Sequence, residues 1–266
     1  MRRLSAFLAT AVLAGAAGVV AITALSDDST PIRVAATEFQ VRGEGESAAI
    51  AATTTTVVVP AHTFLAGEAK VPLLEAYAMP APPPGTAPAV TASNPTHEGF
   101  PLVVSVIEQS PDGAWLEVRL PQRPNGTTGW VRTADLRLWE VPNRIEVAIS
   151  SRTLRVYAGD TTQILFESVV SVGAPGTPTP EGDFFIDIVN PLGNHRTYGW
   201  GQLSVAGFSE VLERFAGGIG QIAIHGWNDP SDMGRNVSNG CVRMNNDDIA
   251  RVAELAPLGT PVTVVA

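Results

Sequence analysis

Gln221-Ile222-Ala223-Ile224-His225-Gly226 and Ser238-Asn239-Gly240-Cys241-Val242-Arg243-Met244 decide how this chain is read. The first is an apolar run closed by a histidine and a glycine, the pattern of a strand giving way to a loop. The second holds the one cysteine of 266 residues. A glycine directly before a cysteine permits a tight turn that exposes the sulfur and lets backbone N–H groups converge near it, as an oxyanion hole requires. Arg243 adds positive charge that favours a thiolate. A thiol is little ionised at neutral pH and needs a base or a cation beside it. An imidazole can take that proton and return it to a leaving amine. His225 precedes Cys241 by sixteen positions, enough chain for a loop that folds back. Taken singly, Cys241 also reads as an inert buried thiol and His225 as a structural histidine at a strand end.

Around this pair the C-terminal half reads as β structure. Ile145, Val147 and Ile149 alternate, as do Leu154 and Val156, about a turn at Ser150-Ser151-Arg152. Strands are expected over 162–172, 183–189, 220–225 and 261–266, with a turn-rich loop over 173–182. Residues 209–215 read as one or two helical turns. One helix is firm: Asn246-Asp247-Asp248 supplies an N-cap and first-turn acids. Ile249, Val252, Ala253 and Leu255 form its apolar face, and Pro257 and Gly259 stop it. Upstream, residues 61–140 show apolar runs at 71–77, 101–107 and 115–120 and a Pro-rich loop over 81–95. A turn at Ser110-Pro111-Asp112-Gly113 and a hairpin signal at Asn125-Gly126 separate them, and Gly129-Trp130-Val131 opens a further strand. Several short strands so spaced predict a small barrel.

The N-terminal quarter differs. Met1-Arg2-Arg3 followed by the uncharged run 4–25 reads as a signal peptide or membrane anchor over residues 1–26. Ala24-Leu25-Ser26 suits cleavage, and no cysteine follows for lipid attachment. A buried core helix is the other reading, but no downstream segment looks like its partner. Residues 27–60, with Gly43-Glu44-Gly45-Glu46 and Thr53-Thr54-Thr55-Thr56, read as a flexible linker. Residues 54–59 also suit a strand. The remainder is therefore expected outside the cytoplasm, where an unpaired cysteine stands out as a reactive candidate.

Composition excludes several classes. With 17 basic and 26 acidic residues, net −9, the chain is no polyanion or nucleic-acid binder. One cysteine permits neither an internal disulfide nor a Cys-based zinc site, and the four histidines are dispersed. No metal or cofactor is expected, no nucleotide fingerprint is present, and no carboxylate pair suggests a glycosidase. Asp229, Asp232, Asp247 and Asp248 read as a solvated acidic rim and helix start, a rim that could attract a cationic amine. His195, in the polar stretch 190–199, reads as part of a solvated loop or of a lid, with Tyr198, Trp200 and Trp227 as aromatic surface. His62 and His97 carry no assignment.

Taken together, Ile224-His225-Gly226 and Ser238-x-Gly240-Cys241-Val242-Arg243-Met244 resemble the L,D-transpeptidase catalytic domain, the YkuD family. Ser171-x-Gly173 and Thr179-Pro180-Glu181-Gly182-Asp183-Phe184 fit the same family, and the resemblance covers residues 143–266. It implies a mainly β, sandwich-like fold and a cysteine that attacks the L,D amide of a peptidoglycan stem tetrapeptide. The terminal D-alanine leaves, and the acyl-enzyme passes to the side-chain amine of a diamino acid in a neighbouring stem. By position Cys241 matches the nucleophile, His225 the general base, and Gly240 with the Cys241 amide the oxyanion region. Arg243 matches the motif arginine, a structural or substrate-carboxylate contact, and Ser238, Asn239 and Gly226 fill the surrounding motif and substrate positions.

One position departs from the family. Where it commonly has Ser-His-Gly-Cys, this chain has Asn239, which can hydrogen-bond but cannot titrate. The departure bears on substrate preference more than on reaction type. Separately, residues 115–136 resemble bacterial SH3-like domains, which implies a wall-binding or positioning module, or a spacer barrel without a ligand. The rival readings are an L,D-carboxypeptidase, with water as acceptor, and a non-catalytic wall-binding protein. The retained Cys241, His225 and Arg243 speak against the second. Stem peptides are the expected partner, and nothing in the sequence bears on oligomeric state.

Overall fold

The computed structural model describes β1 (Thr10–Gly15), β2 (Gly18–Thr23) and residues 62–266 apart from Ala216. β1 and β2 pair antiparallel within a first compact unit that ends at Val57. The linker and the strand considered over 54–59 lie outside the described residues, as does most of the expected signal or anchor. Among the described residues no helix is long and apolar enough to cross a membrane.

The second unit carries everything else. Its first part contains β3 (Phe64–Ala69), β4 (Leu73–Ala76), β5 (Val90–Ser93), β6 (Val103–Gln109), β7 (Trp115–Arg119), β8 (Thr128–Arg132) and β9 (Leu136–Val141). Five of these form a sheet in the order β8-β7-β6-β3-β9, and β4 and β5 form a separate pair. Alternation along the strands turns Val104, Leu116, Val118, Val131 and Leu136 to one side, where they bury Leu74 and Leu102. The turn before β7 forms as its residues predict. Gly113 takes a φ of 70° and donates to the Ser110 carbonyl, while Asp112 accepts from the Ser110 hydroxyl at 2.6 Å.

Two expectations change here. The Pro-rich stretch 81–95 contains β5, because residues 90–93 find a partner edge in β4. Asn125-Gly126 does not make a two-residue hairpin. β7 and β8 are joined by residues 120–127, and the Asn125 amide instead grips another sheet, donating to the Phe208 carbonyl (2.8 Å) and accepting from its N–H (2.9 Å).

The second part runs β10 (Asn143–Ala148), β11 (Thr153–Ala158), β12 (Ile164–Val169), β13 (Val172–Gly173), β14 (Gly182–His195), β15 (Gly199–Phe208), β16 (Gln221–Gly226), β17 (Asn236–Ser238), β18 (Val242–Met244), α1 (Asn246–Leu255) and β19 (Pro261–Val265). Eight strands form one sheet, β12-β11-β10-β19-β14-β15-β16-β18. Its two edges meet. Ser171, just beyond β12, and Arg243 in β18 exchange both backbone hydrogen bonds at 2.9 Å. The sheet thus curls around one core that holds Ile145, Leu154, Ile186, Leu203, Ile224 and Met244, and α1 seals it with Ile249 and Val252. The protein is mainly β, as expected.

Three local readings are corrected. Residues 162–172 are not one strand: β12 ends at Val169, and β13 leaves to pair with β17. Residues 209–215 are not helical. Arg123 takes the carbonyls of Ser209 (2.9 Å), Leu212 (3.1 Å) and Ile219 (3.2 Å), acceptors of the kind a helix would use internally. The helix N-cap is Asn245 without a side-chain bond, and Asn246 is the first helical residue.

The two sheets share a junction. Phe185 and Ala206 pack with Val103, Trp139 and Leu258, and the Trp139 indole donates to the Leu258 carbonyl at 3.0 Å. Near the other end of the sheet, the chain from Thr177 to Thr179 folds tightly over Gly173. A Cβ at 173 would lie 2.3–2.6 Å from backbone atoms of Thr177, Pro178 and Thr179. Gly173→Ala is therefore expected to lose about 3 kcal/mol of stability in urea unfolding. A loss under about 0.5 kcal/mol, the range of a neutral surface change, would contradict this packing.

Candidate active site

β16 and β18 run parallel with Ile224 opposite Val242 and His225 opposite Arg243. Ile222, Ile224, Val242 and Met244 point into the core. Alternation therefore turns Gln221, Ala223, His225, Cys241 and Arg243 to the other face. β15 continues that face, since Ser204 pairs with Ala223 and Gln202 with His225. The two candidate reactive residues thus share one face on adjacent segments.

The turn that carries Cys241 is held from below. Gly240 has a φ of +108°, a region that favours glycine. The Ser238 hydroxyl accepts from the Gly240 N–H (3.1 Å) and donates to the Cys241 carbonyl (2.5 Å). The Ser238 carbonyl accepts from the Ala174 N–H (2.9 Å) and the Thr177 hydroxyl (3.0 Å). Ser238 is fully buried and braces the turn, whereas Asn239 is exposed on the rim. Gly226 is buried against the Tyr198 carbonyl and the Asn246 amide, at 2.6 and 2.4 Å from where a Cβ would stand.

His225 is 4% exposed, and its Nδ1 lies 2.8 Å from the Gly226 carbonyl. A carbonyl only accepts, so Nδ1 carries the proton and Nε2 keeps its lone pair. Burial pulls the imidazole down to about 4, the Arg243 charge adds to this, and the Gly226 bond opposes it. Burial pushes the Cys241 thiol up, partly offset by a backbone hydrogen bond from Ala223 and by Arg243. At neutral pH the resting pair is a thiol and a neutral imidazole, chemically equipped for proton transfer coupled to nucleophilic attack.

Arg243 is fixed on three sides. Its guanidinium donates to the Asp232 carboxylate at 2.6 Å and lies 3.8 Å from the centre of the Trp227 ring, and its backbone closes the sheet on Ser171. The Ser171 hydroxyl donates to the Asp232 carbonyl at 2.7 Å. Asp232 is thus no solvated rim residue. Asp248 is likewise engaged, accepting from the Ser168 hydroxyl at 2.6 Å, and Asp229 accepts from the Ser231 N–H at 3.0 Å, while Asp247 is exposed. Sequence reading missed Asp232 because its partner is met only when the sheet closes.

The aromatics divide. Tyr198 stands edge-on to His225 at 4.9 Å and Trp227 at 5.8 Å, whereas Trp200 packs against the core. His195 stacks on Tyr198 at 5.5 Å, and its Nδ1 accepts from the Thr197 and Tyr198 N–H groups, so it shapes the hairpin tip. His62 and His97 are exposed. Among the described residues no His/Cys/Asp/Glu cluster suits a metal. A cavity of about 610 Å³ lies at the junction beside Trp139 and Leu258, and neither Cys241 nor His225 lines it.

A model of the L,D-transpeptidase catalytic domain, YkuD, matches residues 142–264. YkuD of Bacillus licheniformis is 36% identical over 126 residues, 47% of this chain and 66% of that protein. YkuD of Bacillus subtilis is 32% identical over 128 residues, 47% of this chain and 68% of that protein. An L,D-transpeptidase structure from Mycobacterium smegmatis is loosely similar, with a TM-score of 0.37 and 18% identity over 62% of this chain and 90% of that one.

The lowered imidazole pKa sets a stability window. Between the ordinary value of 6.5 and about 4 the unfolded chain binds a proton at His225 that the native state refuses. Stability therefore falls as pH drops through that interval, by about 3 kcal/mol. Asp187, lifted by burial to about 6, acts in the opposite direction over much of the same range. The difference between the native protein and His225→Gln isolates the histidine. Urea unfolding from pH 7.5 to 4 should show the variant lacking that acid-side loss, and parallel profiles would contradict the assignment.

Proposed function

The chain belongs to the L,D-transpeptidase catalytic-domain family, YkuD, and on that premise we propose that it is an exported peptidoglycan L,D-transpeptidase. The observation that carries the reading is the β16–β18 register, which sets His225 and Cys241 on one face with Nδ1 of the histidine committed to Gly226. The Cys241 thiol gives its proton to Nε2 of His225 as the sulfur attacks the carbonyl of the stem's L,D amide. The oxyanion that forms is received by the backbone N–H of Cys241, on the turn that Gly240 shapes and Ser238 braces. His225 then protonates the departing nitrogen, D-alanine leaves, and a thioester remains on Cys241. An acceptor amine attacks the thioester, its proton passes to His225, the new amide departs and the thiol is restored.

Arg243 holds the strand that carries the nucleophile and supplies the local positive charge. Tyr198 and Trp227 fix the histidine ring between them. Asn239 sits on the rim, where it would touch substrate without titrating. Residues 143–266 form the catalytic domain, and residues 61–140 an SH3-like module that positions it through Arg123 and Asn125. The basic head and apolar run of residues 1–26 direct export, and residues 27–60 link.

Purified tetrapeptide stems test this. The native protein should yield crosslinked dimer and free D-alanine by mass spectrometry, and Cys241→Ala neither. His225→Gln should lower kcat/KM by about 10²–10⁴-fold. Dimer formation by Cys241→Ala would sink the assignment, and tripeptide without dimer would identify water as the acceptor.

A further inference from the structure

Arg243 enters the sequence reading as a structural or substrate-carboxylate contact, and its surroundings decide between the two. Among the described residues its guanidinium makes one side-chain hydrogen bond, from Nη1 to Asp232 Oδ2 at 2.6 Å, and its Nε is buried with no partner. The group lies over the Trp227 ring, 3.8 Å from the centre. Only 15% of the Arg243 side chain is exposed, so the guanidinium is committed to the fold rather than presented to a ligand.

Trp227 is placed in a similar way. Its backbone N–H donates to the Met244 carbonyl at 2.8 Å, but its indole Nε1 is buried without a partner. Among the described residues nothing polar orients the ring. Packing does so, with Arg243 over one face and the His225 ring edge-on at 5.8 Å and 63°. The imidazole in turn has one hydrogen bond, from Nδ1 to the Gly226 carbonyl. A planar ring pinned at one atom can still tilt about that bond, so its aromatic neighbours settle where Nε2 points.

The Arg243–Trp227 pair thus has a single polar side-chain anchor, and that anchor is itself held. Asp232 ends a 3-10 turn, Pro230–Asp232, which Asp229 caps by accepting from the Ser231 N–H (3.0 Å) and hydroxyl (2.7 Å). The Asp232 carbonyl accepts from the Ser171 hydroxyl at 2.7 Å, and its Oδ1 lies 3.7 Å from Arg235. A largely desolvated cation that loses its carboxylate is strongly disfavoured where it stands and moves toward water. Without Asp232 the guanidinium leaves the Trp227 ring, the indole loses the surface that orients it, and the imidazole loses one of its walls.

Resting on the transpeptidase reading, we propose that Asp232 is a positioning residue for the general base, holding the His225 ring toward the Cys241 thiol through Arg243 and Trp227. The full-length protein is assayed for alkylation of Cys241 by iodoacetamide at neutral pH and for kcat/KM on a tetrapeptide stem. Asp232→Ala should slow both about tenfold, the size of coupling that residues in contact show. In a Trp227→Leu background, where the stack is already gone, the same substitution should cost less than about twofold. Equal costs in the two backgrounds would mark a merely structural role and overturn the inference. Unchanged alkylation overturns it, and so does faster alkylation, the sign of a guanidinium left in place with its charge unopposed. Where Asp232→Ala does not fold, Asp232→Asn, which keeps the shape of the turn, replaces it in the same cycle with the same readings. A native protein that is alkylated at Cys241 but turns over no tetrapeptide overturns the transpeptidase reading, and the alkylation cycle still judges Asp232 by itself.

Discussion

The backbone pair between Ser171 and Arg243 is the contact on which the catalytic half depends. An eight-stranded sheet left open would carry two bare edges and a core exposed at each. Joining the segment after β12 to β18 removes both problems and sets the strand that follows the nucleophile against β16. The same arginine then serves a second purpose through its side chain. Held by Asp232 and Trp227, its charge disfavours the imidazolium and favours the thiolate. Closure of the fold and the electrostatics of the site meet in one residue.

Burial is the stronger influence on both reactive groups. It lowers His225 and raises Cys241, and Arg243 only trims the second effect. A resting thiolate–imidazolium pair is therefore disfavoured, and charge develops as the bond to the substrate forms. A neutral pair has a further merit, because thiolate is the form that oxidants attack. Asp187 shows the same physics in a carboxylate.

Much of this was legible in the sequence, and the exceptions share a cause. Alternation marked β10 and β11, an apolar run marked β16, and the first-turn acids and apolar spacing marked α1, because those patterns are local. Gly240 and Cys241 announced a tight turn in the same way. The misread segments are those whose conformation is set from a distance. Residues 209–215 lose their helix to Arg123, 86 to 96 positions earlier. Asn125 forgoes a tight hairpin to hold Phe208. Asp232 looked solvated until sheet closure brought Arg243 to it.

The central claim is that a neutral Cys241–His225 pair carries the acyl group. The most direct measurement is intact-protein mass spectrometry after rapid mixing with a tetrapeptide stem, followed by mapping of the modified peptide. The account predicts a transient thioester on Cys241 whose mass equals the stem less D-alanine, released when an acceptor amine is added. Turnover with no adduct at Cys241 under rapid acid quench, or an adduct on another residue, would contradict it.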